Sequence, residues 1–185
     1  MALTRVKKVP TANLVQGSSF LTTASTITTS NMPAGTIIQV VRNVGATEYS
    51  TTSNSTYLNI ADINTSITPK AANSILFFQI SGQTFINGVS NGQSGLDFIL
   101  KDHTNSTTKE QFRGINFHNV GSSGLSQVMD YFCFNFTESA SNTNAREYRL
   151  EYRIEPSYNN CSTATIGWND ANTSPQCMVI YEIAQ

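Results

Sequence analysis

The chain has 185 residues and a mass of 20.2 kDa, the size of one ordinary domain. Only 12% of its residues are charged and its net charge at pH 7 is −1, with 11 basic and 12 acidic side chains. This balance argues against a nucleic-acid partner, which normally requires a basic face. No apolar run approaches the length of a membrane span or of a signal peptide, so we expect synthesis in a cytoplasm and no membrane insertion.

The residue types favour β-structure. Serine, threonine and asparagine fill 63 of the 185 positions, and isoleucine outnumbers leucine by 15 to 9. Isoleucine, valine and threonine together supply 48 residues, and β-branched side chains fit strands better than helices. We therefore predict an all-β fold with a polar, weakly charged surface.

The aromatic residues divide the chain at residue 35. Residues 1–35 contain only Phe20, whereas residues 36–185 contain the other 17 aromatic side chains. Nine of the thirteen residues from Ser18 to Ser30 are serine or threonine, so this segment has little apolar surface to bury. We predict an extended arm over 1–35, with Met32–Gly35 joining it to a domain over 36–185; a disordered tail is the alternative.

Short apolar runs separated by turn signals predict eight to ten strands and no helix. Asn87-Gly88 and Asn91-Gly92 are typical of hairpin turns. Such a pattern indicates a β-sandwich, of the jelly-roll type. The predicted strands are Thr36–Arg42, Ser74–Ser81, Leu96–Lys101, Gln111–Phe117, Tyr131–Phe136, Arg146–Glu155, Ser162–Trp168 and Cys177–Ile183.

Two of these strands alternate strictly. Phe132, Phe134 and Phe136 share one face of the first, as the period of two requires. In Arg146–Glu155, apolar residues alternate with charges of alternating sign, which we expect to face water and to contribute little to stability. The apolar residues of that strand are Tyr148, Leu150, Tyr152 and Ile154.

Candidates for catalysis are scarce. His103 and His118 lie in polar, loop-like contexts without metal-ligand spacing, and no nucleotide-binding or nucleophile-elbow motif is present. Cys133, Cys161 and Cys177 form an odd count without CxxC spacing, so at least one thiol is free. Pairing of Cys161 with Cys177 is the alternative, but assembly in a cytoplasm favours free thiols. We expect no catalytic residues, metal or cofactor.

Four aromatic residues are candidates for stacking on sugar rings: Tyr49, Tyr57, Tyr158 and Trp168. Aromatic stacking is a common basis of carbohydrate binding. In a β-sandwich such side chains also serve in the core or at interfaces. The glycan-binding and structural interpretations therefore both remain open.

Four segments carry a resemblance to a known family. They are Met1–Val6 before the Ser/Thr-rich arm, Met32–Val41 at the junction, Ile67–Leu76 entering a strand, and Val179–Ile183 at the end. Together they resemble tailed-bacteriophage virion proteins of the tail-fibre or structural type. The family's lysine before Ile75 is missing here, and the motifs bear on fold and virion context more than on role.

The resemblance implies a non-enzymatic, trimeric short fibre or spike on the virion surface, made in the host cytoplasm. Its arm would attach it to other tail or capsid proteins through the residues at its start: Leu3, Arg5, Val6, Lys7 and Lys8. One alternative is a decoration protein that stabilises the capsid, and another is a module that binds a host glycan or surface protein. A polysaccharide depolymerase is the enzymatic alternative, but those spikes are usually longer chains.

Overall fold

The structure is a computed structural model that describes residues 32–89, 92–119, 126–159, 161–167 and 175–185. Within these ranges the helical structure is a single 3-10 turn, Ala61–Ile63, and no helix is long and apolar enough to cross a membrane. The strands are β1 (Ile37–Gly45), β2 (Tyr49–Thr51), β3 (Leu58–Asn59), β4 (Thr65–Ile67), β5 (Ile75–Val89), β6 (Gly92–Asp102), β7 (Thr107–Asn119), β8 (Ser126–Ser139), β9 (Arg146–Asn159), β10 (Thr163–Ile166) and β11 (Gln176–Ile183). The all-β prediction is confirmed.

The strands form two antiparallel sheets. Sheet A contains β1, β2, β5, β8, β10 and β11, and sheet B contains β3, β4, β6, β7 and β9. β10 and β11 pair with successive stretches of one side of β5, while β8 pairs with its other side. β2 and β1 pair in turn with β10 and β11, and β3 and β4 pair with successive stretches of β9.

The short strands therefore combine into eight paths across the molecule. In chain order the paths are β1 with β2, β3 with β4, β5, β6, β7, β8, β9, and β10 with β11. The spatial order of paths is 1-8-3-6 in sheet A and 2-7-4-5 in sheet B. This arrangement of eight antiparallel strands in two sheets is a jelly roll, so the predicted sandwich type is confirmed.

The predicted strands exist, but several are longer than expected. Asn87-Gly88 is not a hairpin turn, because both residues lie within β5. The pairing of β5 with β8 shifts register between Ile86 and Val89, so this dipeptide occupies a β-bulge. The glycines from Gly92 to Gly95 likewise belong to β6, not to a loop.

Aromatic side chains join the two sheets. The ring of Phe98 on β6 lies 4.9 Å from that of Phe132 and 5.1 Å from that of Phe134, both on β8. Each such pair contributes about 0.5–1.5 kcal/mol beyond its buried area. Gly82 on β5 makes room for this cluster, because a Cβ there would lie 2.7 Å from the Phe132 ring. The predicted inward orientation of the β8 phenylalanines is confirmed.

Candidate functional surfaces

The buried carboxylate of Glu182 holds a loop of the sandwich in place. Glu182 on β11 is fully buried and accepts hydrogen bonds from the backbone N–H groups of Lys70 and Ala71, the shortest at 2.7 Å. It also accepts a 2.7 Å bond from the Ser74 hydroxyl. A buried carboxylate that accepts from three such donors is a structural clamp for the turn that leads into β5.

A second ionic cluster fixes the loop between β8 and β9. Arg146, which is 6% exposed, donates to the carbonyl of Ala140 and, at 2.8 Å, to the side chain of Asn142. Glu138 accepts a hydrogen bond from the Tyr148 hydroxyl and pairs with Lys109 at 2.9 Å. Burial and the neighbouring Glu138 carboxylate raise the pKa of the Tyr148 phenol. These charged groups therefore have a structural role, because they join the loop to the neighbouring strands.

Asp62 bridges the interruption between β1 and β2. Its carboxylate accepts hydrogen bonds from the backbone N–H of Thr47 at 2.8 Å and from the Tyr49 hydroxyl at 2.7 Å. Bonds from Thr47 and Tyr49 hold the pKa of the Asp62 carboxyl below its ordinary value. Gly45 must lack a side chain here, because a Cβ would lie 2.2 Å from that of Asp62.

The two predicted sugar-stacking residues that the structure describes in full both have partners within the chain. Tyr49 bonds to Asp62 and packs against the core from sheet A. Tyr57 precedes β3 of sheet B, and the guanidinium of Arg153 lies over its ring at 4.5 Å. Only the backbone of Tyr158 is described, and Trp168 lies outside the described residues. The structure does not bring Tyr49 and Tyr57 onto one sheet, and glycan binding remains a prediction.

The outer face of sheet B carries most of the outward charge. We call it the charged face and define it by the outward-pointing residues Asp97, Lys101, Arg113, Glu147, Arg149, Glu151 and Arg153. Opposite charges meet across strands: Lys101 Nζ lies 3.7 Å from Glu151, and Arg153 lies 3.0 Å from Asp97. The predicted burial of Tyr148, Leu150, Tyr152 and Ile154 on the opposite face of β9 is confirmed. Arg146 and Glu155, at the two ends of the predicted strand, are buried, so the prediction that its charges face water is wrong for them.

The outer face of sheet A has the opposite chemistry. We call it the neutral face and define it by the outward-pointing residues within Ile37–Val44, Ile75–Ser81, Tyr131–Ser139 and Cys177–Ile183. Arg42 is the one charged residue among them. Rows of apolar side chains cross the strands, for example Val40, Tyr181 and Phe77 at paired positions. The composition did not predict that the outward-pointing charges would be concentrated on one sheet.

A shallow groove lies where the neutral face meets β7. Its volume is about 410 Å³, and it is lined by Phe77, Glu110, Asn135, Phe136 and Thr137. It is open to solvent and combines an aromatic ring with carboxylate and amide groups. This is the kind of lining that suits a polar ligand such as a sugar.

Of the remaining residues considered as sites in the sequence, some are described by the structure and others lie outside the described residues. His103 is exposed in the turn between β6 and β7, and the three cysteines have free thiols, with Cys133 exposed on the neutral face. No group of three potential metal ligands occurs among the residues that the structure describes. The arm residues Leu3, Arg5, Val6, Lys7 and Lys8 lie outside the described residues, as do most residues of the predicted arm.

Comparisons with known proteins give likenesses in structure only. No protein-family model matches the chain, and no curated protein matches it. The chain is similar to solved structures of infectious bursal disease virus: the Gt strain (15% identity, 80% of this chain, TM-score 0.38), the T13 viral particle (15%, 78%, 0.35) and the VP2 subviral particle (15%, 80%, 0.36). It spans 35% to 38% of those chains. At these values the likeness carries no conclusion about function.

Proposed function

We propose that this chain is a non-enzymatic structural protein of a virus particle. In this proposal it is a short fibre or spike module of a tailed bacteriophage, made in the host cytoplasm and assembled as a trimer. Residues 1–35 anchor it to the particle, and residues 36–185 form the jelly roll exposed at the virion surface. The proposal combines the observed fold with the resemblance carried by four sequence segments.

The observation that carries the proposal is the jelly-roll arrangement of the eight strand paths. This architecture is typical of viral capsid domains, and also of lectins and cupins. Here the buried ionic groups hold loops at the ends of the sandwich: Glu182 binds the turn before β5, and Arg146 binds the loop before β9. The interior chemistry thus supports a rigid module whose outer surfaces are available for contact.

The place where the arm joins the module favours anchoring by the arm. Gly35 adopts a φ of +87°, which favours glycine, and its N–H donates to the carbonyl of Ala184 at 2.9 Å. The carbonyl of Thr36 accepts in turn from the N–H of Ala184 at 2.9 Å. The chain therefore enters β1, at the margin of sheet A, through a fixed point next to the predicted arm.

Removing the arm tests this role. We expect a chain that lacks residues 1–30 to be folded by circular dichroism but absent from purified particles, as measured by quantitative mass spectrometry. The full chain produced in parallel is the control. Normal incorporation of the shortened chain would contradict anchoring by the arm. Absence of the full chain from particles would contradict the proposed function, and its position in images of labelled particles distinguishes fibre from capsid decoration.

The groove beside β8 favours a second candidate function, binding of a host-surface glycan. Phe77 supplies an aromatic surface there, and Glu110 and Asn135 supply hydrogen-bonding groups. We expect isolated protein to compete with particles for adsorption to host cells, and Phe77→Ala to lose this competition. Gln93→Ala, at an exposed position of β6, is the control. Failure of the wild-type protein to compete at saturation would exclude this role.

A further inference from the structure

We propose that the neutral face packs against the neutral face of a second copy of this chain. The inference rests on the proposed function, in which copies of the module assemble on a particle. It adds a twofold contact between copies, which is separate from the threefold contact within the proposed trimer.

Apolar exposure is concentrated on one side of the molecule. Five large apolar side chains are exposed in the described part of the chain, and all five point outward from sheet A. They are Ile37 (53% exposed), Val40 (53%), Val44 (44%), Met129 (50%) and Tyr131 (72%). Three of them lie on β1 and two on β8, and the apolar side chains of β11 and β5 between these strands, such as Val179, Tyr181 and Phe77, are half-buried. Large apolar patches on the surface mark interaction sites in soluble proteins.

Charge indicates which partner fits. In a symmetric contact the same patch meets itself, so any charge on the patch approaches its own copy. The neutral face has a single charge, Arg42 on β1, and can meet itself with little repulsion. The charged face has Arg149 and Arg153 beside Glu147 and Glu151, and burying such charges is costly unless every one finds a partner.

The size of the face is also suitable. Four strands about 4.8 Å apart, each with about seven residues, present roughly 450 Å² in projection. A standard interface buries about 800 Å² on each partner. The face therefore supplies more than half of the area of a standard interface, which fits a weak, reversible association.

The centre of the neutral face can contact a second copy only through side chains. The backbone groups of β5 and β11 are paired within sheet A on both sides, so the centre of the face offers side chains alone. Contact between copies is then face to face, through Phe77, Tyr181 and Val179 at the centre and the exposed residues around them. Copies would be joined by side-chain packing and not by strand addition at this position.

The test measures the association of the full chain by sedimentation velocity across a concentration series. We expect the wild-type chain to associate reversibly in the micromolar range. The double variant Val40→Glu, Tyr131→Glu places charges on the neutral face at exposed positions, and we expect it to weaken association about tenfold or more. Gln111→Glu adds a charge at an exposed position of the outer face of sheet B, and we expect it to associate like the wild type.

Circular dichroism and thermal melting check that each variant folds. If the double variant does not fold, Asn135→Lys with Thr137→Lys replaces it, because both positions are exposed on β8. A wild-type chain that stays monomeric at all concentrations would overturn the inference, whether its own arm or a different protein covers the face. Equal association of wild type and folded double variant would also overturn it. Incorporation into particles, measured separately, decides the proposed function and does not depend on this result.

Discussion

The outer faces of sheets A and B follow the same alternation of inward and outward residues along their strands. The face of sheet B is charged, whereas the face of sheet A is nearly uncharged. On sheet B, Lys101 and Arg153 pair with carboxylates on neighbouring strands, so charge is balanced at the surface. On sheet A, Val40 and Tyr131 are more than half exposed in a face with a single charged residue. Alternation along a strand therefore shows which side chains point outward, whereas the outward residues themselves indicate whether the face meets water or protein.

The two sides of β9 place charged side chains in different environments, one buried and one at the surface. Arg146 and Arg149 lie three residues apart on β9 and point to opposite sides of sheet B. Arg146 is buried and bonded to a loop, whereas Arg149 lies on the charged face and contacts Glu147 of its own strand at 2.6 Å. Because one arginine is buried and the other is at the surface, we expect their removal to change the free energy of unfolding by very different amounts.

The largest expected effect follows from removing the buried arginine. Arg146→Ala removes the buried guanidinium that bonds to the carbonyl of Ala140 and pairs with Glu138, and it leaves Glu138 with Lys109 and the Tyr148 hydroxyl as partners. Breaking a buried pair in this way typically costs about 3–5 kcal/mol of unfolding free energy. Urea denaturation followed by tryptophan or tyrosine fluorescence measures it. A loss below about 1 kcal/mol would show that the cluster is not structural.

A smaller, pH-dependent effect is expected at Asp62, which bridges β1 and β2 at the margin of sheet A. Because the pKa of its carboxyl is lowered in the folded state, its hydrogen bonds stabilise the fold above the ordinary value of about 3.9. That stabilisation is lost as the pH falls through the lowered pKa. Asp62→Asn should therefore reduce the melting temperature at about pH 7, and the difference from wild type should shrink towards about pH 3.

The control for the pH dependence is Glu110→Gln, at an exposed position of β7. We expect this variant to follow the wild-type melting curve at each pH. A difference between Asp62→Asn and wild type that stays constant as the pH is lowered would mean that the Asp62 carboxylate is not responsible for the dependence.

The smallest effect is expected on the charged face. Arg149→Ala removes one half-exposed charge whose contact with Glu147 is largely screened by water, and exposed pairs contribute about 0–1 kcal/mol. Denaturation measured as for Arg146→Ala checks this. A loss as large as that of Arg146→Ala would erase the distinction between the two sides of β9.

Much of the fold follows from local sequence. The three phenylalanines of β8 and the alternation in β9 predict which side of each strand is buried, because the period of two acts within a few residues. Strand ends are predicted less well: Asn87-Gly88 has the local signature of a turn, yet pairing with β8 keeps it extended as a bulge. Long-range pairing overrides the local preference there.

The candidate surfaces could not be predicted from the spacing of residues in the sequence, because they depend on which strands pair. The neutral face depends on β1, β11, β5 and β8 lying side by side, although β5 and β11 are about a hundred residues apart in the chain. The same is true of Glu182, whose loop partners Lys70 and Ser74 lie 112 and 108 residues away. The composition predicts a weakly charged exterior, but strand pairing decides where the charges are gathered.

The reactivity of the Cys133 thiol tests the central claim most directly. Cys133 is exposed on the neutral face, and its rate of alkylation can be followed by peptide mass spectrometry. We predict that alkylation of the full chain slows as protein concentration rises, because a second copy covers the thiol. A thiol introduced on the charged face by Gln111→Cys should react at the same rate throughout. A Cys133 rate that is independent of concentration would contradict the account.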